Sequence, residues 1–373
     1  MPTILKAAGG PASPALRPLT IMGTMTYKAF ILIPGARWPE PAARHLLETL
    51  TSAERAMLDA FGDAAEDPVT QWIAPEPFGR APHLVWAWRV VAQRRGAPVT
   101  APYAWVAQGG PEQSTEMWAL TPLTRDAEGR VGGVFPITDD LTLPLLMRLS
   151  PAVEAAGGRL QWSGAGLYLT TKTLWDASAA PAGSLEGLPW DELAHQRAGT
   201  DAHKLEELSL ALTDAAKADP KLTGIAGFWL HGGGTAEGAL PPTKIRAVLS
   251  DDAAIRGWAQ KAGMLKDRTT PFATAWRAAP KGDLLAVIPH LMRPWLRGDL
   301  DAWRRALPEA HAAFMALKAE AASDAREADE PVVVMFGAGT SATMTPKEAG
   351  LLSFIRRPKP VAPLLWLIDG VSP

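Results

Sequence analysis

Residues 225–234 read IAGFWLHGGG: an apolar run carrying Phe228 and Trp229 that ends in His231 and three glycines. The stretch sets a choice between a nucleotide cradle, a catalytic loop and a strand that must turn sharply. Successive glycines bring backbone N–H groups close to a phosphate. A Walker loop, however, closes on Gly-Lys-Ser/Thr and runs directly into a helix. Here residues 235–242 read TAEGALPP and feed a second apolar run, KIRAVLS. The segment therefore reads as a buried strand, with Phe228 and Leu230 on one face and Trp229 on the other. Its place is expected in the middle of an α/β sheet, with helices on both faces. The glycines let the chain leave the sheet and leave open space above the strand end, where ligands of α/β sheets sit. His231, Gly232, Gly233 and Gly234 are thus the ligand-lining candidates, His231 as a hydrogen-bonding group rather than a metal ligand.

Working outward, YKAFILIPG (27–35) is a short apolar run closed by Pro-Gly, which marks a first buried strand. Helices are expected over 40–50 and over 52–61, the second opened by Ser52, and over HLVWAWRVVAQRR (83–95). Alternation predicts strands in APYAWVAQGG (101–110) and STEMWALTPL (114–123), and a hairpin from GRLQWSG (158–164) and GLYLTT (166–171). Residues 175–189, rich in Ala, Gly, Ser and Pro, read as a surface connection. A polar helix over 201–218 stops at Pro220, and KIRAVLS leads to a helix opened by Asp251 or Asp252 and closed by Gly263. Strands DLLAVIPHL (283–291) and PVVVMFG (331–337) flank a helix pair broken at Pro308, and an apolar segment, VAPLLWLIDG, follows at 361–370. Alternating strands and helices predict an α/β layered domain with a mixed central sheet flanked by helices and inserted β-hairpins. One domain is expected over 25–373, with a subdomain around 100–200.

Residues 1–24 carry Gly9, Gly10, Pro11, Pro14 and Pro18 and read as a disordered extension, with Met22 or Met25 as alternative starts of translation. The 37 basic and 39 acidic residues give a net charge of -2, no footprint for a polyanion, so nucleic acid is not expected as a partner. The chain has no cysteine, which removes disulfides, zinc ribbons, thiol catalysis and iron–sulfur clusters and suits the cytoplasm. No run of about 18 apolar residues suggests a membrane span.

Other motifs resolve to plain readings. FGAGTSA places Gly337, Gly339 and Ala342 in G-x-G-x-x-A spacing, but no acidic residue follows about twenty positions on, so a strand turning toward a short helix near Pro346 is the better reading. Glu192 and His195, then Asp201, His203, Glu206 and Glu207, suggest metal ligands, yet the Glu-x-x-His spacing is not repeated and Gly199 interrupts it. A solvated polar helix explains them, and neither metal nor cofactor is expected.

IAGFWLHGGG…LPP resembles the N-x-x-W-L-W-G-x-G…L-P segment of archaeal-type cofactor-independent phosphoglycerate mutases, of the alkaline phosphatase superfamily. IRAVLSDDAAIRGWAQKAGM (Ile245 to Met264) is similar to the strand and helix that follow there. A proteobacterial family labelled RpfE-like or phosphoglycerate mutase-like is nearer, through Ile33-Pro34, Trp105, Leu167-Tyr168-Leu169 and Trp229 to Gly234 in the same order. The resemblance implies an alkaline-phosphatase-like core. It also exposes departures. The mutases carry a metal-binding Asp directly after the first strand, where this chain has Pro34. Their nucleophilic Ser or Thr, Asp-His pair and late His have no counterpart that the sequence places. A two-metal reaction does not survive the loss of several ligands. The expectation is a non-catalytic or regulatory relative that binds a small molecule or a protein partner; a rebuilt phosphomutase or phosphatase-like site near the glycines, and a partner-binding module, are the alternatives.

Overall fold

The computed structural model describes residues 29–64, 74, 76–163, 166–236, 238–267, 282–323, 331–338, 341–345 and 364–369. The N-terminal extension, the alternative start methionines and the turn at Pro346 lie outside them.

The strands run β1 (Ala29–Ile33), β2 (Trp38–Pro39), β3 (Asp63–Ala64), β4 (Glu116–Arg125), β5 (Val131–Val134), β6 (Gly158–Ser163), β7 (Gly166–Thr171), β8 (Ser178–Ala179), β9 (Arg197–Ala198), β10 (Gly227–Gly234), β11 (Ile245–Leu249), β12 (Leu265–Asp267), β13 (Asp283–Val287), β14 (Val332–Phe336), β15 (Ser341–Thr345) and β16 (Ile368–Asp369). The helices are α1 (Glu40–Thr49), α2 (Ser52–Asp59), α3 (Pro82–Val91), α4 (Ala101–Ala107), α5 (Asp139–Ala155), α6 (Ala202–Lys217), α7 (Ala253–Lys261), α8 (Met292–Leu296) and α9 (Leu300–Ser323).

A seven-stranded sheet in the order β12-β11-β13-β1-β14-β15-β3 forms the centre. From β12 to β14 each neighbouring pair is parallel, and β15 is antiparallel to both its neighbours, so the sheet is mixed. Because β1, β11, β13 and β14 run the same way, their carboxyl ends share one edge of the sheet. β1 is apolar throughout because both faces are covered. Ile31 and Ile33 join Leu46, Leu307 and Phe314 on one side, and Leu32 joins Val85, Trp88, Ile255 and Trp258 on the other. The domain is α/β and layered, with helices on both faces of a mixed central sheet.

The inserted strands build a second, antiparallel sheet in the order β10-β4-β7-β6, with β5 also paired to β4. The strand Gly227–Gly234 is therefore an edge strand of this smaller sheet and not a central strand of the large one. Its side chains alternate as expected, Trp229 lying opposite Thr121 and Leu230 opposite Leu120. An edge strand can still be buried on both faces. Phe228 and Leu230 pack with Leu149, Leu208 and Leu212 from α5 and α6. On the other face the Trp229 indole donates to the Ala180 carbonyl at 2.8 Å, with the Arg197 guanidinium 4.2 Å above the ring.

Tertiary contacts overrule several local readings. Residues 101–107 form α4, not a strand: Pro102 fits a first helical turn, where no backbone donor is needed. This short helix buries Tyr103 against α7 and Trp105 and Val106 against the small sheet, so its apolar residues serve two layers. Residues 175–189 are not a surface connection. Ala179, Ala180, Ala182 and Leu185 are buried, their small side chains letting the segment close over Trp229. α9 runs unbroken through Pro308. α2 is capped by Thr51 rather than Ser52, the Thr51 hydroxyl accepting from the Glu54 amide at 3.2 Å in a capping box. After β14 the chain returns as the antiparallel strand β15.

Candidate functional site at the carboxyl edge of the central sheet

The glycine run ends β10 where the small sheet meets the central domain. Gly232 (φ +67°) and Gly234 (φ +146°) adopt backbone angles that side chains resist, and the register with β4 breaks between His231 and Gly234. Gly233 has no such angle. The space above the strand end is filled, contrary to expectation: a Cβ on Gly232 would lie 1.8 Å from the Thr100 hydroxyl, one on Gly233 2.2 Å from the Trp118 ring, and one on Gly234 2.7 Å from Val99. The Gly232 carbonyl accepts from the Thr100 amide at 3.1 Å, and the Trp258 indole donates to the Val99 carbonyl at 2.9 Å. The glycines thus permit a close approach that ties β10 to α4 and α7.

One face of the small sheet lies away from α5 and α6. Residues directly opposite share a face, so His231, Ala119, Tyr168 and Gln161 form one row across four strands. Ala119, Thr121, His231 and Gln161 in this region each keep part of their surface exposed. His231 Nε2 lies 3.0 Å from the Thr121 hydroxyl, and its Nδ1 is sealed and has no hydrogen-bond partner. The Tyr168 hydroxyl donates to Gln108 at 3.1 Å. Burial, aided by the negative charge of Asp252, raises the Tyr168 pKa. Asp252 stands at the carboxyl end of β11, where it caps α7 by accepting from the Ala254 and Ile255 amides at 2.8 and 3.1 Å. Trp105 of α4 packs on Tyr168 with ring centroids 5.3 Å apart, so α4 covers the middle of this row and His231 lies at its β10 end.

A second polar group gathers after β13. Glu186 accepts from the Arg293 Nε at 2.8 Å and from the Arg297 Nε, and its backbone carbonyl accepts from Arg80 at 3.0 Å. Arg80 also donates to the Leu296 carbonyl at 2.6 Å, and Arg297 to the Gly132 carbonyl at 2.9 Å. Arg293 and Arg297 stand four apart and so present one face. Burial lowers the Arg80 pKa to about 10, opposed by the charge of Glu192. Two guanidiniums meet one carboxylate while a third holds its backbone carbonyl, and the Arg293 side chain is 70% exposed.

Two histidines near this edge are held neutral. His83 begins α3 with its ring centroid 6.5 Å from that of Phe336, at the end of β14. Burial pushes both His83 and His231 down to about 4. In the unfolded chain they titrate near about 6.5. The unfolded state therefore binds protons that the folded state refuses, and stability is lost as pH falls from about 6.5 to about 4. In a titration followed by histidine NMR, the His83 and His231 resonances should stay at their neutral positions down to about pH 5. A midpoint near the unperturbed value for either ring would contradict the burial argument.

Of the residues singled out in the sequence, Glu192 and His195 fall on a 3-10 turn over Trp190–Gln196, while Asp201 precedes α6 and pairs with Lys204 at 2.7 Å. Among the described residues no group of three His, Cys, Asp or Glu could hold a metal ion, and no helix is long and apolar enough to cross a membrane. Arg80, Arg293, Arg297 and Glu186 escape a reading of the sequence. The four-residue spacing in RPWLR (293–297) is a signal, but its partner lies 107 residues from Arg293.

No family model matches the sequence, and no curated protein matches it. Among solved structures, the fold is similar to the PH0037 protein of Pyrococcus horikoshii, at 11% identity and a TM-score of 0.45 over 85% of this chain and 86% of that one. It is similar as well to the cofactor-independent phosphoglycerate mutase of Thermoplasma acidophilum, at 10% identity and a TM-score of 0.35 over 86% and 90% of the two chains. At these scores neither likeness carries a function to this chain.

Proposed function

We propose that this protein is a non-catalytic, cytoplasmic relative of the cofactor-independent phosphoglycerate mutases and of the RpfE-like family, with an alkaline-phosphatase-like core, that binds a small molecule at the carboxyl edge of its central sheet. The turn after β1 carries this reading. Where the resembling mutases place a metal-binding Asp, this chain has Pro34, buried and without a side-chain acceptor. The next residue leaves no room either: a Cβ on Gly35 would lie 2.7 Å from the Leu291 carbonyl oxygen, and the Gly35 carbonyl accepts from the Trp303 indole at 2.8 Å. The turn is framework. A two-metal displacement needs carboxylates and imidazoles aimed at both ions, and the charged groups gathered after β13 are guanidiniums. His231 would line the binding face as a hydrogen-bonding group beside Thr121, while Gly232, Gly233 and Gly234 hold β10 against Thr100, Trp118 and Val99 behind it.

The test is an assay for interconversion of the two monophosphoglycerates in excess manganese or magnesium, run beside a thermal-shift screen of small metabolites. No turnover is expected, while one chemical class should raise the melting temperature; a ligand at about 100 times its Kd stabilises by about 2.7 kcal/mol. Metal-dependent turnover, or a screen without any stabilising ligand, overturns the reading.

A further inference from the structure

The guanidinium group after β13 already holds an anion, and that anion belongs to the protein. Glu186 sits between Arg293 and Arg297, its side chain 11% exposed against 70% and 45% for theirs. The residues around it dock the following turn as well. The Arg130 guanidinium donates to the Gly187 carbonyl at 3.1 Å, and a Cβ on Gly187 would lie 2.7 Å from the Leu296 carbonyl oxygen. Arg80 spans the joint, donating to Glu186 on one side and to Leu296 on the other. The Glu186 carboxylate therefore fastens the small-sheet lobe onto α8.

Arg293 and Arg297 share the single Glu186 carboxylate, while Arg80 beside them feels the charge of Glu192. Each guanidinium offers five donors in a rigid fork suited to carboxylate or phosphate. The Nε atoms of Arg293 and Arg297 both meet one oxygen of Glu186, Oε1. A free oxyanion would be recognised by the same donors.

We propose that Glu186 is an internal occupant of an oxyanion site formed by Arg293 and Arg297 beside Arg80, and that a small phosphate or carboxylate ligand enters by displacing it. Displacement exchanges one set of charge-assisted hydrogen bonds for another and releases the Ala182–Gly187 segment from α8. Ligand binding and inter-lobe docking are thereby linked, since the ligand gains only what Glu186 gives up. The proposal names the ligand class for the small-molecule binding proposed above and rests on that reading.

Titration calorimetry of the full chain with sodium phosphate and with sodium succinate, at matched ionic strength, tests it. Glu186→Gln keeps the side-chain shape and removes the competing charge, so it should bind the preferred oxyanion about tenfold more tightly than the natural chain, a gain of about 1.4 kcal/mol. Arg293→Gln combined with Arg297→Gln should abolish binding. Stronger binding of phosphate points to a phosphorylated ligand, and stronger binding of succinate to an organic acid. As a second readout, oxyanion should speed hydrogen exchange of the α8 amides, where Arg293 and the adjoining Arg297 hold Glu186 in the docked state. Equal or weaker binding by Glu186→Gln with unchanged exchange overturns the displacement. Absence of oxyanion binding by either chain overturns it too, while the small-molecule reading then stands or falls on its own screen and activity assay.

Discussion

Replacing Arg37 by Met should cost about 3–5 kcal/mol of folding stability, the range for breaking a buried ion pair from one side. Arg37 is 2% exposed. Its guanidinium donates to the Trp366 carbonyl at 2.8 Å and the Ile368 carbonyl at 2.6 Å, and lies 3.7 Å from Asp369. Burial lowers its pKa and the Asp369 charge works against that, so the cation is kept by its surroundings. These contacts fix β16 to β2, where Ile368 pairs with Trp38. The Met variant would leave two buried carbonyls and a carboxylate without their cation. Urea unfolding should show the loss, and Asp369→Leu added to Arg37→Met should recover part of it, because an apolar pair buries no lone charge. A loss below about 1 kcal/mol would show that the pair contributes no more than an ordinary surface contact.

Gly233→Ala should destabilise by about 3 kcal/mol, the upper part of the range for overpacking a filled core. The cause is a collision. Gly233 keeps ordinary backbone angles, but its Cβ would lie 2.2 Å from the Trp118 ring, which is fully buried and packs at a 38° tilt against Trp175 with centroids 5.9 Å apart. Trp118→Leu opens that space. A double-mutant cycle should therefore find Gly233→Ala with Trp118→Leu less destabilised than the sum of the single changes. Strict additivity would mean that backbone strain rather than the indole sets the cost. At Gly232 and Gly234 strain and collision act together, since both combine a positive φ with a close neighbour.

The two predictions mark the boundary between chain and fold. Strands at 29–33, 245–249, 283–287 and 332–336 are legible because their apolar runs are short and bounded by turn residues, and those at 158–163 and 166–171 by alternation. The start of α7 is legible because Asp252 carries its own capping chemistry. So is the mixed α/β layering, which alternating elements dictate. These follow from interactions a few residues long, which the sequence contains in full.

Other features depend on partners that no local window includes. IAGFWLHGGG reads the same at the edge of a small sheet as at the centre of a large one, because either place buries both faces; only pairing with β4, more than a hundred residues earlier, decides between them. Residues 101–107 turn helical because α7 and the small sheet each claim part of their apolar surface. Residues 175–189 look like a loop until Trp229 needs a cover that small side chains can bring close. Arg293 and Arg297 advertise a helix face, but the carboxylate between them is 107 and 111 residues away. The sequence by itself determined the short apolar strands, the capped start of α7 and the mixed α/β layering, because each is written in neighbouring residues. The tertiary structure alone decided which strand is central, what fills the space above the glycines and which charges meet, because those depend on contacts that exist only once distant segments have packed.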